Sequence, residues 1–181
     1  VEAFGEPPRY TTVPAPVADE GREVVDVLAV GIHPATRGFA SGKHYTNTSR
    51  PPIIAGIDAV VRRRDGRLAM VMAPATGTLA ERIAVDPATL IPVPDDADPA
   101  VVAATMNPAM SSWIALHARV GFRPGQSLLV IGATGNAGSM EVKIGKAVGA
   151  ARVVAAGRNR DRLEQLLTEG ININITLLFS L

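Results

Sequence analysis

The stretch Leu128–Gly138, LLVIGATGNAG, constrains this chain more than any other. An apolar run, a glycine-bearing turn and the start of a helix follow one another there. Backbone N–H groups and a helix N-terminus then gather at one point, an arrangement suited to a phosphate. Ala133-x-Gly135-x-x-Gly138 is the A-x-G-x-x-G form of the dinucleotide-binding turn. Gly135 lets backbone approach a pyrophosphate, and Gly138 lets the helix pack close to the strand. Thr134, Asn136 and Ala137 fill the intervening positions and complete the candidate cofactor-binding segment. The alternative is a strand–helix turn with no ligand; the preceding apolar strand and the following helix favour the binding reading.

A second apolar run ends in Gly157-Arg158-Asn159-Arg160. An acid about 20 residues beyond such a motif would bind the ribose 2′-OH of NAD. Here that position holds Gly157, and Arg158 and Arg160 stand ready to neutralise a 2′-phosphate, with Asn159 as a hydrogen-bond donor. Planar guanidinium donors match phosphate oxygens. Glycine is read as leaving room for that phosphate, and NADP(H) is expected over NAD. Asn159 also has the character of an N-cap for a helix from Arg160, with both arginines solvated.

The rest of the chain divides into two textures. Residues 1–110 hold most of the 14 prolines and predict short β segments between turns. Strands are expected over Val24–Val30, Ala59–Arg63, Arg67–Met72 and Thr78–Val85, with Arg64-Asp65-Gly66 as a hairpin turn. Ile91–Pro94 reads as an extended connection. Helices are expected over Pro99–Met106 and Ser111–Arg119, then strand 128–133, helix 136–148, strand 152–157 and helix 160–168. Ile171, Ile173 and Ile175 alternate and predict a third parallel strand. A β-rich lobe over 1–110 and a partial α/β domain over 111–181 result. A net charge of +1 gives no bulk attraction to nucleic acid or anionic membrane. The absence of cysteine excludes disulfides and thiolate metal sites and fits a reducing, cytoplasmic setting. No apolar run approaches the length of a membrane span.

Several segments together resemble the quinone oxidoreductase-like, zinc-free branch of the medium-chain dehydrogenase/reductase superfamily. They are VVDVLAVGIHPATR (24–37), PPIIAGIDAVV (51–61), GTLAERIAVDPATLIPVPDDAD (77–98), NPAMSSWIALHARVGFRPGQSLLVIGATGNAG (107–138) and KAVGAARVVAAGRN (146–159). The resemblance implies a GroES-like β-barrel catalytic domain followed by a Rossmann domain. It also implies hydride transfer from NAD(P)H to a quinone or an α,β-unsaturated carbonyl. It places His33 where relatives carry Asn before Pro, able to hydrogen-bond a substrate carbonyl. Tyr45 resembles a tyrosine lining the substrate cleft, and Ser111 takes the place of a Thr facing the nicotinamide. His33 and Tyr45 are thus the candidate catalytic residues, and Ser111 joins the cofactor set; Ser111 could equally cap a following helix. Where zinc-dependent relatives have their ligands, this chain has His33 and Ile57-Asp58, and one histidine with one carboxylate does not make a three-ligand site. No metal is expected.

The same resemblance implies departures. Ala59-Val60-Val61 replaces a glycine-containing segment, so a different turn is expected there. The second βαβ half and the returning tail are expected to be missing, so that this stretch alone retains adenosine-side binding with little reductase activity. A homodimer is expected of the longer protein. The alternative function is a non-catalytic NADP(H)-binding sensor or interaction module. A short-chain dehydrogenase is disfavoured because about 127 residues of β-rich sequence precede the glycine motif.

Overall fold

A computed structural model describes residues 1–19, 21–72, 74, 76–168 and 173–177, the last five and residues 167–168 as backbone. Two compact units divide the chain, Val1–Ala104 and Thr105–Leu181.

The first unit is built on a five-stranded antiparallel sheet. Its strands are β1 (Glu23–Val30), β2 (Asp58–Arg62), β3 (Leu68–Met72), β4 (Arg82–Val85) and β5 (Ile91–Pro92), ordered β4-β1-β2-β3-β5. The β2–β3 hairpin forms where Asp65-Gly66 directs it, with Gly66 at φ +85°. Val25, Ala59, Val61, Ala69, Val71, Ile83 and Val85 make the core. Ala59-Val60-Val61 lies in the strand expected over Ala59–Arg63 and is fully buried, and the altered turn implied by the resemblance is not formed there. β-branched residues flanked by buried neighbours stabilise the ladder there. Arg63 closes the hairpin onto β1 through a forked pair with Glu23, 2.8 and 3.0 Å.

The unit differs from expectation at further points, among them Ile91–Pro92, which pairs with β3 as a strand where a connection was expected. Only Arg82–Val85 of the stretch from Thr78 is strand. Gly77 lies so close to the Ile54 carbonyl that a Cβ would stand 1.8 Å from it, and Gly56 at φ +98° turns the chain beside it. The buried Thr78 hydroxyl donates to the Asp58 carbonyl at 2.9 Å, so this segment braces β2 from outside the ladder. A helix not foreseen, α1 (Pro34–Ala40), follows β1. Pro34 opens it at the one position where a missing N–H costs nothing.

The second unit contains a parallel three-stranded sheet, β6 (Ser127–Ile131), β7 (Arg152–Gly157) and β8 (Ile173–Leu177), with β7 in the middle. Helices α3 (Asn136–Ala147) and α4 (Arg160–Thr168) connect the strands. Ile173 and Ile175 fall in the third strand; Ile171 lies outside the described residues. Val130, Ala133, Val142, Val153, Ala155, Leu163 and Leu166 form the core, which joins both helices to one face of the sheet. On the opposite face Leu129 and Ile131 remain 59% and 73% exposed. Two helices were expected between residues 99 and 119. Instead α2 runs without a break from Pro99 to Ile114 and continues as a π-helical turn over Ala115–Arg119. Pro108 sits inside it, where its missing N–H removes one helical bond without ending the helix.

Candidate functional site

In the second unit the strand-to-helix turn closes on itself tightly. The N–H groups of Gly132 and Ala133 both donate to the Ala156 carbonyl, at 2.8 and 2.9 Å, which ties the turn to the end of β7. Gly132 takes φ +85°, and the Gly135 N–H returns to the Gly132 carbonyl at 3.0 Å. Gly135 is the extended N-cap residue of α3, and the Ser139 N–H bonds its carbonyl at 2.9 Å. The N–H groups of Asn136, Ala137 and Gly138 form the open first turn of α3. Asn136 and Ala137 are exposed there, while Ala133 is wholly buried beneath. Gly138 is required sterically, since a Cβ would stand 2.3 Å from the Gly132 carbonyl oxygen and 2.8 Å from the Ala133 Cα. At Gly135 the nearest atom would be 3.4 Å away, so that glycine answers to no comparable crowding.

The end of β7 meets this turn. Gly157 packs against Thr134, whose Cγ2 and Oγ1 lie 2.7 and 3.1 Å from where a Cβ would be. The direction a side chain would take from Gly157 is therefore filled by Thr134. Asn159 caps α4: its Oδ1 accepts from the Arg162 N–H at 3.0 Å. Arg160 bonds Glu164 at 2.8 Å on an exposed helix face, and that hydrogen bond raises its already high pKa. Arg158 is exposed and has no side-chain partner among the described residues. The sequence reading missed Arg162, whose Nη1 donates to the Thr134 carbonyl at 2.9 Å and so grips the turn from α4. The alternation Arg158, Arg160, Arg162 was the available signal. Ser111 lies within α2, its hydroxyl bonded to the Pro108 carbonyl at 3.1 Å, so it caps no following helix.

In the first unit His33 precedes α1 and turns its ring to β2. Its Nε2 lies 2.8 Å from Asp58 Oδ2, with side chains 12% and 1% exposed. Asp58 Oδ1 is buried without a hydrogen-bond partner among the described residues and abuts Gly31, where a Cβ would come within 2.6 Å of it. The Thr36 hydroxyl donates to the Gly31 carbonyl at 3.1 Å, fixing the approach from the other side. Tyr45 sits past the far end of α1, roughly 10 Å of helix from His33. It is 93% exposed and ends a stack of three rings, Phe39–His44–Tyr45, with centroids 4.2 and 4.6 Å apart. A groove of about 990 Å³ between residues 8–16 and β1 contains neither His33 nor Tyr45. No group of three histidines, aspartates or glutamates able to hold a metal occurs among the described residues, and no helix among them is long and apolar enough to cross a membrane.

Known proteins resemble this chain along nearly its whole length. The quinone oxidoreductase of Thermus thermophilus, solved also in complex with NADPH, is 33% identical; the match covers 97% of this chain and 58% of that one, with a TM-score of 0.84. In sequence and fold the chain is similar to that quinone oxidoreductase. A protein of Emericella nidulans described as a probable NADPH-dependent quinone reductase is 29% identical, over 91% of this chain and 55% of that protein. An alcohol dehydrogenase superfamily protein from Novosphingobium aromaticivorans is 25% identical, over 95% and 56% of the two chains, with a TM-score of 0.76. No protein-family model matches the chain. The chain spans somewhat more than half the length of the relatives it matches.

Proposed function

We propose that the second unit is the first half of a Rossmann domain that binds NADP(H), and that the protein containing it is an NADPH-dependent reductase acting on a quinone or an α,β-unsaturated carbonyl. The first unit is then its GroES-like catalytic domain. One observation carries the cofactor reading. Gly138 is backed onto the Gly132 carbonyl with no room for a side chain, and this brings the open amides of α3 to the end of β7, where the Arg158 guanidinium is unpaired among the described residues. Those amides would hold the pyrophosphate, and Arg158 the 2′-phosphate. The relatives named for NADPH support the same choice.

A bound nicotinamide supplies the hydride, so the chain itself needs no nucleophile. What it contributes is orientation and charge stabilisation. His33, its Nε2 held by Asp58, would face the substrate carbonyl with Nδ1, which can donate to that oxygen as negative charge develops only when both ring nitrogens carry protons. Tyr45 would offer the outer face of its ring stack to a flat substrate. Neither role requires a metal, and none is proposed. A cytoplasmic setting and a homodimer belong to the same reading.

Calorimetric titration with NADPH and NADH tests the cofactor. NADPH should bind more tightly, and Arg158→Ala should weaken NADPH by about 1–3 kcal/mol, the scale of a charged hydrogen bond, while leaving NADH little changed. Equal affinities, or a preference for NADH, would refute the reading.

A further inference from the structure

We propose that cofactor selectivity is set by a pair, Gly157 and Thr134, and that Thr134 is the member that keeps an acidic residue out. The inference rests on the NADP(H) reading above and adds a residue to its specificity determinants. An acid that reads a ribose 2′-OH would project from position 157. In this chain the first atom of any such side chain meets Thr134, with Cγ2 at 2.7 Å and Oγ1 at 3.1 Å.

Rotation of Thr134 relieves the contact only in part, to the 3.1 Å position. A threonine fills two of the three staggered positions on its Cβ, and here both filled positions face residue 157. A turn to either other rotamer moves one heavy atom away and leaves or brings another. Withdrawal of the backbone is blocked as well. The turn is bonded to the Ala156 carbonyl through Gly132 and Ala133, and Arg162 holds the Thr134 carbonyl at 2.9 Å from the far side. The Thr134 Cβ itself lies 3.5 Å from the projected atom, an ordinary contact, so alanine at 134 would clear the space.

Selectivity should therefore resist the obvious single change and yield to the double one. The variants are G157D, T134A and G157D/T134A, titrated with NADPH and NADH, with melting temperatures taken without cofactor. G157D alone should melt below wild type, weaken both cofactors and gain no preference for NADH. G157D/T134A should recover most of the melting temperature. Its NADH-to-NADPH affinity ratio should rise about tenfold or more over wild type, the scale of one hydrogen bond to a charged group. Because aspartate could disturb the turn through its charge, G157A and G157A/T134A provide a neutral pair. G157A should melt lower than wild type, and T134A should restore it. If wild type prefers NADPH and G157D alone inverts that preference, the pair is refuted and the NADP(H) reading stands. If G157A melts like wild type, or T134A fails to restore it, the pair is likewise refuted. If wild type binds neither cofactor, or prefers NADH, the NADP(H) reading fails whatever the melting temperatures show.

Discussion

Alanine at Gly138 should be far more damaging than alanine at Gly145, though both glycines lie in α3. At Gly138 the added Cβ would stand 2.3 Å from the Gly132 carbonyl oxygen, 2.7 Å from its carbon and 2.8 Å from the Ala133 Cα. All three are backbone atoms, and the Gly132 and Ala133 N–H groups are fixed on the Ala156 carbonyl. Relief must come by lifting α3 off the turn. Forcing a methyl into a closed contact costs about 1–3 kcal/mol, and residue 138 is in the first turn, where the helix-propensity gain of alanine is small. At Gly145 the nearest atom is Leu128 Cδ2 at 2.5 Å, the end of a flexible and only partly buried side chain. That methyl can rotate aside. Alanine there recovers about 1 kcal/mol of propensity in a helix interior, which offsets the repacking. In a unit of this size 1 kcal/mol moves the midpoint by about 4–8 °C. Gly138→Ala should lower the calorimetric transition of this unit by on the order of 10 °C, and Gly145→Ala should leave it nearly unchanged. A Gly138→Ala protein melting at or above wild type would refute the packing argument, as would equal losses from the two substitutions.

Two further outcomes follow from other positions. Partial burial raises the Glu141 carboxyl above its ordinary value, so the folded state binds its proton more readily than the unfolded chain does. Glu141 therefore costs stability above that raised value, and the cost disappears as pH falls below the ordinary carboxylate range; Glu141→Gln should raise the melting temperature at neutral pH and lose its advantage in acid, and a benefit independent of pH would contradict this. Gly31→Ala drives a methyl to within 2.6 Å of Asp58 Oδ1 and 2.8 Å of the Ala103 carbonyl oxygen, which should cost the first unit about 1–3 kcal/mol in urea titration and shift the His33 ring resonances; an unchanged His33 spectrum would show that Asp58 does not hold the ring.

The alternation of apolar strands and helices after residue 126 was legible because each element there carries its own local pattern and turn chemistry. The Asp65-Gly66 hairpin was legible for the same reason. The Thr78 segment was not. Its apolar residues promised strand, yet its conformation is set by Gly56 and by the Asp58 carbonyl, about twenty residues distant in sequence. The two helices expected over Pro99–Met106 and Ser111–Arg119 are one, because the helix tolerates the one bond that Pro108 removes. At the candidate site, glycine spacing disclosed the tight strand-to-helix turn, and Asn159 disclosed its cap. The filling of the Gly157 niche by Thr134 and the reach of Arg162 to its carbonyl are long-range contacts, for which no periodicity exists. Asp58 was noticed as a would-be ligand; its role as the anchor of His33 depends on strand β2 lying beside the turn that precedes α1.

The bare face of the parallel sheet has a consequence for how mutations in this chain would be read. Leu129 and Ile131 belong to a strand whose other side faces the core through Val130, and parallel strands are ordinarily apolar on both sides because both are covered. In this unit the two side chains bury little and contribute little to its folding. A survey that ranks positions by loss of stability would score them as silent, alongside ordinary surface residues. A survey that ranks them by tolerance in the living cell would weigh them by whatever lies against that face. Disagreement between the two rankings, position by position along β6, would separate the residues that make this unit fold from those kept for its surroundings.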